Sequence, residues 1–444
     1  MGRPLIEDSL GEATAPVTSK FFYGWVIVAV GILVFALAYG VRYSFAVVFS
    51  SLLEEFQWSR GAAATILSLH LLAYGVTAPL AGTLVDKIGA RSTMSLGAVL
   101  LALGAATSGL ATALWHFYLA FGLLMGMGIS LVGAVPFTRI IGNWFLDRRG
   151  MALSLLFFGS GGAYLLYPLV ALLIDRIGWR GTFVVEAAIA AGLLLPAVAL
   201  LIRNSPWEKG LQPDGRPNST PTPNLEQALN TGAAVPTASP HTDAADWTLR
   251  KAIKSLRFWA LCLCAFSVWG ITEHILVAHH IAFAEDVGYS NMYASAVLAL
   301  FGVLMSVGAL LGLVSDRIGR EATFGIGMVI GVSGIVVLML IQDTSQPWML
   351  YAYPILFGLG FGMTTPTIAA AATDMFQGHR AGAVIGFIWF SFAIGGTIGP
   401  WLGGYIFEVA GSYLPAFLIS AATFVVAFIA MWVAAPRRAR RRAG

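Results

Sequence analysis

Long, nearly unbroken runs of apolar residues alternate with short polar breaks along almost the whole chain. Crossing a hydrocarbon layer about 30 Å thick takes about 20 residues of helix. Runs of that length fall near 22–50, 62–85, 92–113, 115–140, 149–174 and 181–202, and then near 257–284, 290–314, 322–342, 347–374, 381–408 and 413–435. Each reads as a transmembrane helix. Strands of a membrane barrel would show as alternating segments of about 10 residues, whereas these runs are continuously apolar and rich in Gly, Ala and Leu. The expected fold is therefore an all-α integral membrane protein with twelve helices in two six-helix bundles. The boundaries that follow are an N-terminal tail 1–21, a bundle 22–202, a linker 203–255, a second bundle 256–435 and a basic tail 436–444.

Composition agrees: 58% of the 444 residues are hydrophobic and 11% charged, against roughly 25% charged in a soluble domain. The first twenty residues carry Glu7, Asp8 and Glu12 and no apolar core, so they read as neither signal peptide nor anchor. Cys262 and Cys264 stand two apart on different faces of the seventh helix and imply neither a disulfide nor a zinc site. Lys and Arg accumulate in short cytoplasmic loops. Of the 26 here, Arg60, Arg176 and Arg180 lie in odd-numbered connections and Arg42 inside the first helix, and the other 22 lie at the opposite face. Both termini are thus expected in the cytoplasm. The net charge of +4 is a topology signal, and no nucleic-acid partner is implied. The stretch 203–249 holds seven of the 19 prolines and many Ser, Thr and Asn residues, and reads as a mostly disordered linker with a short surface helix around Leu225–Leu229.

The two halves repeat. Gly82, Asp86, Lys87 and Gly89 recur as Gly312, Asp316, Arg317 and Gly319 at a uniform shift of 230. Gly126, Gly128, Arg148, Gly150 and Pro168 recur as Gly358, Gly360, Arg380, Gly382 and Pro400 at a shift of 232. An even number of helices per half makes these parallel repeats about an axis along the membrane normal, an arrangement suited to rocking-bundle transport.

Gly82, Asp86, Lys87, Gly89 and Arg91, with Gly312, Asp316, Arg317, Gly319 and Arg320, resemble the loop motif of the major facilitator superfamily. The resemblance implies a cytoplasmic gate that is closed when the outside is open; a simple positive-inside anchor would account for Lys87 and Arg91 but not for Asp86 or the repeated glycines. A finer resemblance, covering almost the whole chain outside the linker, is to the monocarboxylate and oxalate/formate branch. Tyr23, Gly24, Trp25 and Val26 open helix one as in that branch, and Leu53 to Phe56 with Trp58, Ser59 and Arg60 are similar to its first external loop. Trp144, Phe145 and Arg148 to Ala152 resemble its entry to helix five; His279, Asp286, Gly288 and Ser290 its end of helix seven; Gly411, Ser412 and Tyr413 its start of helix twelve. The arginine that the branch carries in helix eight, four residues before the position of Gly312, is replaced by Gly308, and 381–407 contains no cation. A carboxylate substrate is implied by the resemblance without its usual anchor.

Charges near the centre of a bilayer cost about 2.5–3.5 kcal/mol on insertion scales and so tend to face a cavity. Arg42 lies about 9 Å outward of the middle of helix one, and His70, Glu273 and His274 about 5 Å outward of the middles of helices two and seven, at 1.5 Å per residue. Arg42 and His274 are separated by 232, which gives them matching depths in opposite halves. Tyr39, Arg42, Tyr43 and Ala46 share a face of helix one; His70, Tyr74 and Thr77 share one of helix two. On helix seven, Trp269, Glu273 and His280 form one stripe and Ser267, Gly270 and His274 its neighbour.

The chemistry this suggests is anion binding by Arg42, with Tyr39, Tyr43, His70, Tyr74 and His274 as further substrate contacts. Glu273, with His274 or His70, would take up a coupled proton, an ionised Glu273 pairing with Arg42 when the site is empty. A buried pair that only holds the halves together is the alternative. Glu273, His274, His279 and His280 do not converge on one helical face, so no metal or other cofactor is expected. The chain is read as a transporter and not an enzyme, a monomeric unit in the plasma (cell inner) membrane whose partners are a small organic anion, protons and the bilayer. A facilitator or exporter of a neutral or zwitterionic solute, or an anion antiporter, is the competing class.

Overall fold

A computed structural model describes residues 22–145, 148–215, 247–376 and 381–434. The central linker, with the expected helix around Leu225–Leu229, and both terminal tails lie outside the described residues. Twelve long helices cross the molecule: α1 Gly24–Phe56, α2 Arg60–Ile88, α3 Ala90–Gly109, α4 Leu114–Trp144, α5 149–177, α6 179–201, α7 Leu256–Val287, α8 Asn291–Leu311, α9 Arg320–Met339, α10 Pro347–Met375, α11 Ala381–Ala410 and α12 Leu414–Ala434. Large apolar side chains such as Leu80, Leu200 and Ile429 stand exposed on the outside, the arrangement a lipid solvent favours and water opposes. The face on which α1 begins and α12 ends is termed the terminal face, and the opposite one the far face.

Two boundaries differ from the sequence reading. Helix α1 runs past Ser50 to Phe56, because Ser51, Glu54 and Glu55 are polar without breaking a helix; it stops where Gln57 turns left-handed at φ 54°. Between α5 and α6 the chain reverses at the single residue Gly178, φ 73°, so Asp175, Arg176 and Arg180 remain helical.

The repeat is visible in backbone geometry. Gly89 joins α2 to α3 at φ 81°, ψ 157°, and Gly319 leads into α9 at φ 102°, ψ 155°. A side chain is strained at such φ values, which is why glycine stands at both. On the far face, Ser59 and Ser290 cap α2 and α8 alike, each hydroxyl accepting from the backbone N–H three residues on, at 3.3 and 3.2 Å. The aromatic ends of α4 and α10 also match. Trp144 and Phe145 pack under Phe22, Tyr23 and Trp25, while Phe376 packs under Trp247 and Phe258.

Within the second half, α7 and α11 approach to backbone contact. A Cβ on Gly270 would lie 2.6 Å from the Gly395 Cα, and backbone cannot yield as a side chain can. Gly270→Val is therefore expected to remove most of the folded protein, as read by fluorescence-detected size exclusion, overpacking costing about 1–3 kcal/mol or more. Gly192→Val, on α6 with nothing within 4 Å of the added carbon, is expected to leave the peak unchanged. Between the halves, α2 packs on α11, α5 on α8 and α1 on α7.

Candidate functional site

A small cavity opens between the halves, lined by Arg42, Tyr43 and Ala46 of α1, Leu67 of α2, Tyr167 of α5, and Glu273, His274, Val277 and Ala278 of α7. Arg42 is 3% exposed. Its Nη2 donates to His274 Nε2 at 2.8 Å, and its guanidinium lies 5.8, 5.4 and 5.8 Å from the ring centres of Tyr39, Tyr43 and Tyr74. Aromatic faces attract a cation without neutralising it. Helices α1 and α7 open the two halves, so this bond joins one half to the other beside the cavity.

The expected pair between Arg42 and Glu273 is not formed. His274, not Glu273, meets the guanidinium, and the carboxylate Oε1 of Glu273 instead accepts from the Tyr164 hydroxyl at 3.3 Å. Tyr164 stacks on Tyr43 at 4.4 Å, so Arg42, Tyr43, Tyr164 and Glu273 form a continuous polar arc. His274 is fixed from behind, its Nδ1 2.9 Å from the carbonyl oxygen of Trp269, a residue of the π turn Ala265–Thr272. Trp269 in turn stacks on Trp389 of α11 at 4.7 Å.

Tyr39 and Tyr74 face the guanidinium rather than the cavity itself. His70 does not join them: it is fully buried, its Nδ1 2.9 Å from the Phe121 carbonyl of α4 and its ring against Phe121. The helix-seven stripe also divides, since His280 stacks on Tyr353 inside the second half. His279 bonds the Pro400 carbonyl at 2.8 Å, so Glu273, His274, His279 and His280 point four ways. Gly308, where the resemblance places an arginine, lies against the Leu359 carbonyl of α10; a side chain there would meet α10.

Tyr167 lines the cavity and Tyr164 donates to Glu273, so both border the site although neither is among the residues expected there. Their spacing of three on one face of α5 was the available signal. Glu186 of α6, 4% exposed and beside Ser44, is a further buried acid outside the expected set; a lone carboxyl group in an apolar helix is itself the signal.

Between the cavity and the far face the halves are joined by polar contacts. Arg60 of α2 grips Asp286 at the end of α7 through two bonds of 2.7 and 2.6 Å, donates to the Tyr413 hydroxyl at 2.8 Å, and lies 3.9 Å over the Phe407 ring. The Gly61 N–H donates to Glu408 at 2.5 Å, the Trp401 N–H to Ser68 at 3.2 Å, and Ser50 to Glu285. Burial pushes the Tyr413 hydroxyl up to about 12, so it stays neutral and the charge of this lock rests on Arg60 and Asp286. Three motif segments that resemble the transporter branch at separate places in the sequence thus meet at one point.

At the terminal face, Gly82 lies beside Val135 of α4 and Gly312 beside Pro366 of α10. The Arg91 N–H donates to Asn204 at 3.0 Å; Arg320 donates to Asp374 at 3.0 Å and to Ser315 at 2.5 Å. Lys87 and Arg317 are exposed. The side chains of Asp86 and Asp316 are outside the described set.

The chain matches the family model of the Major Facilitator Superfamily over residues 31–400 and 282–444. It is 27% identical over 408 residues to human "Monocarboxylate transporter 11", covering 90% of this chain and 80% of that protein. It is 24% identical over 388 residues to the "Uncharacterized MFS-type transporter YcxA" of Bacillus subtilis, covering 84% and 86%. Among solved structures it superposes on a D-xylose-proton symporter with TM-score 0.70 at 16% identity, covering 92% and 97%, and on an inward-facing bacterial homologue of the lysosomal transporter Spinster with TM-score 0.68 at 16% identity, covering 95% and 98%. The twelve-helix fold, its internal repeat and these matches together make the chain a multi-pass membrane transporter of the major facilitator superfamily.

Proposed function

We infer that the protein is a secondary active transporter of a small, monocarboxylate-like organic anion, coupled to protons and working by alternating access. The observation that carries this reading is Arg42: a buried cation in a cavity between the halves, hydrogen-bonded to a histidine and ringed by tyrosines, with no carboxylate bonded to it. Burying an unpaired charge is costly, and an anionic ligand relieves that cost. The protonatable pair Glu273 and His274 stands in the same wall and supplies the means to couple protons. The names of the similar monocarboxylate transporters support the substrate class. In this reading residues 22–202 and 256–435 rock against each other around the contact between Arg42 and His274, joined by the linker 203–255. The Arg60 lock seals the far face, and the loops around Asp86 and Asp316 seal the terminal face in the alternate state. The protein resides in the plasma membrane, terminal face toward the cytoplasm, and acts as a monomer.

Glu273 favours a second reading, a zwitterion whose cationic end meets that carboxylate. A thermal-shift panel on purified protein separates the two. Small monocarboxylates are expected to raise the melting temperature by several degrees at saturation, since a ligand at 100 times its Kd stabilises by about 2.7 kcal/mol. Stabilisation by zwitterions alone would favour the second reading, and stabilisation by neither would remove both.

A further inference from the structure

Both nitrogens of the His274 ring are occupied. Nδ1 faces the Trp269 carbonyl at 2.9 Å, with the Gly270 carbonyl beside it, and Nε2 faces Arg42 Nη2 at 2.8 Å. A carbonyl only accepts and a guanidinium only donates. These partners dictate the tautomer: Nδ1 carries the ring hydrogen, and Nε2 presents a lone pair to Arg42. The one nitrogen able to gain a proton is thus covered by a cation.

The ring has little freedom to escape this position. It packs against Phe392 of α11 at 5.7 Å, and α11 passes over it at Gly396 and Gly399, where an added Cβ would fall 3.5 Å from the His274 Cε1 and 3.1 Å from its Cβ. The charged and titratable groups around it are Arg42 and Tyr43 of α1, His70 of α2, Tyr167 of α5 and Glu273 of its own helix; α11 contributes none.

Resting on the reading of Arg42 as the anion site, we propose that His274 Nε2 takes up the coupled proton and that its bond to Arg42 is the coupling device. A bound anion draws the guanidinium off the imidazole and uncovers the lone pair. A hydronium ion from the solution then gives its proton to Nε2, the N–H bond forming as the donor O–H bond breaks, and leaves an imidazolium and a water molecule. Loading adds one anion and one proton to a site that already holds Arg42 and Glu273, a net change of zero. Empty and loaded carriers thus cross the apolar barrier with the same charge, and neither ligand does so alone. By linkage, whatever the proton does for the anion the anion does for the proton. Affinity for the anion rises as pH falls, by up to tenfold per pH unit across the window in which His274 titrates.

Two measurements on the full-length protein test this. The first needs no substrate: ¹⁵N-histidine NMR in nanodiscs, with the His274 signal identified by its loss in His274→Gln. In the wild type that ring is expected to remain the neutral Nδ1–H tautomer through the mildly acidic range, and in Arg42→Gln to titrate at a pH at least one unit higher. Equal titration in both proteins overturns the proposal. The second is counterflow of radiolabelled acetate, pyruvate and benzoate in proteoliposomes as a function of pH. The wild-type rate is expected to rise as pH falls, and whatever rate His274→Gln retains to be flat. A wild-type profile in His274→Gln, together with a flat one in Glu273→Gln, would assign the proton to Glu273 and refute the proposal while leaving the Arg42 reading intact. If none of the probes exchanges in the wild type, the anion reading loses its support and the NMR comparison alone decides the role of His274.

Discussion

Arg42→Gln is expected to reduce carboxylate uptake about thirtyfold or more at unchanged protein level. Truncating one partner of a buried, hydrogen-bonded charge pair costs about 2–5 kcal/mol, and each 1.4 kcal/mol is tenfold in affinity. The guanidinium also has geometry to lose. A lysine keeps the charge but not the planar fork, nor the fit among the rings of Tyr39, Tyr43 and Tyr74, so Arg42→Lys is expected to retain uptake about tenfold below wild type. Stability should move the other way. Removing a buried charge that no carboxylate balances is expected to leave the melting temperature equal or raised. A structural pair holding the halves together would give the reverse pattern: lost stability with retained uptake in whatever protein folds.

The second large effect is expected at the far face. Exposed ion pairs contribute about 0–1 kcal/mol, but the Arg60–Asp286 pair is bidentate, half-sheltered and backed by Tyr413 and Phe407. Asp286→Ala is expected to weaken the closed far face by at least 1.4 kcal/mol, a tenfold shift between states. Its readout is a cysteine at the cavity residue Ala46, in a background with Cys262 and Cys264 replaced, labelled by an impermeant maleimide supplied from the far side. Labelling should rise about tenfold in Asp286→Ala and uptake should fall. Exchanging the two charges, Arg60→Asp with Asp286→Arg, is expected to restore much of both. Unchanged labelling in the single variant would show that the lock does not hold this face closed.

Much of the architecture was legible because its signals are local. A run of about 20 apolar residues admits few structures in a bilayer, and the repeated Gly, Asp and basic residues marked equivalent turns, which Gly89 and Gly319 form with nearly the same ψ. The extent of α1 was less legible, since polar residues leave the membrane without leaving the helix and only Gln57 ends it. At the site, Arg42 and its tyrosine face followed from ordinary helical spacing on α1. Which of the adjacent Glu273 and His274 would meet it did not. A helical wheel advances by a constant angle, and the π turn Ala265–Thr272 adds residues to the turn and rotates everything beyond it. His70 was misjudged as a cavity residue because its partner, the Phe121 carbonyl, belongs to a helix whose rotation the sequence does not fix. The Arg60 lock joins residues 226 and 353 positions apart, and only the packed halves bring them together.

An anion bound at Arg42 is proposed to move with a proton through a rocking pair of bundles. Accumulation of radiolabelled carboxylate in proteoliposomes under an imposed inward proton gradient, with the membrane potential clamped at zero, tests it most directly. Wild-type protein is expected to concentrate the label above its external level and to lose that ability when the gradient is collapsed, while Arg42→Gln stays at the level of empty liposomes. Absence of both label flux and proton movement across a broad carboxylate panel, with correctly folded protein in the vesicles, would contradict it.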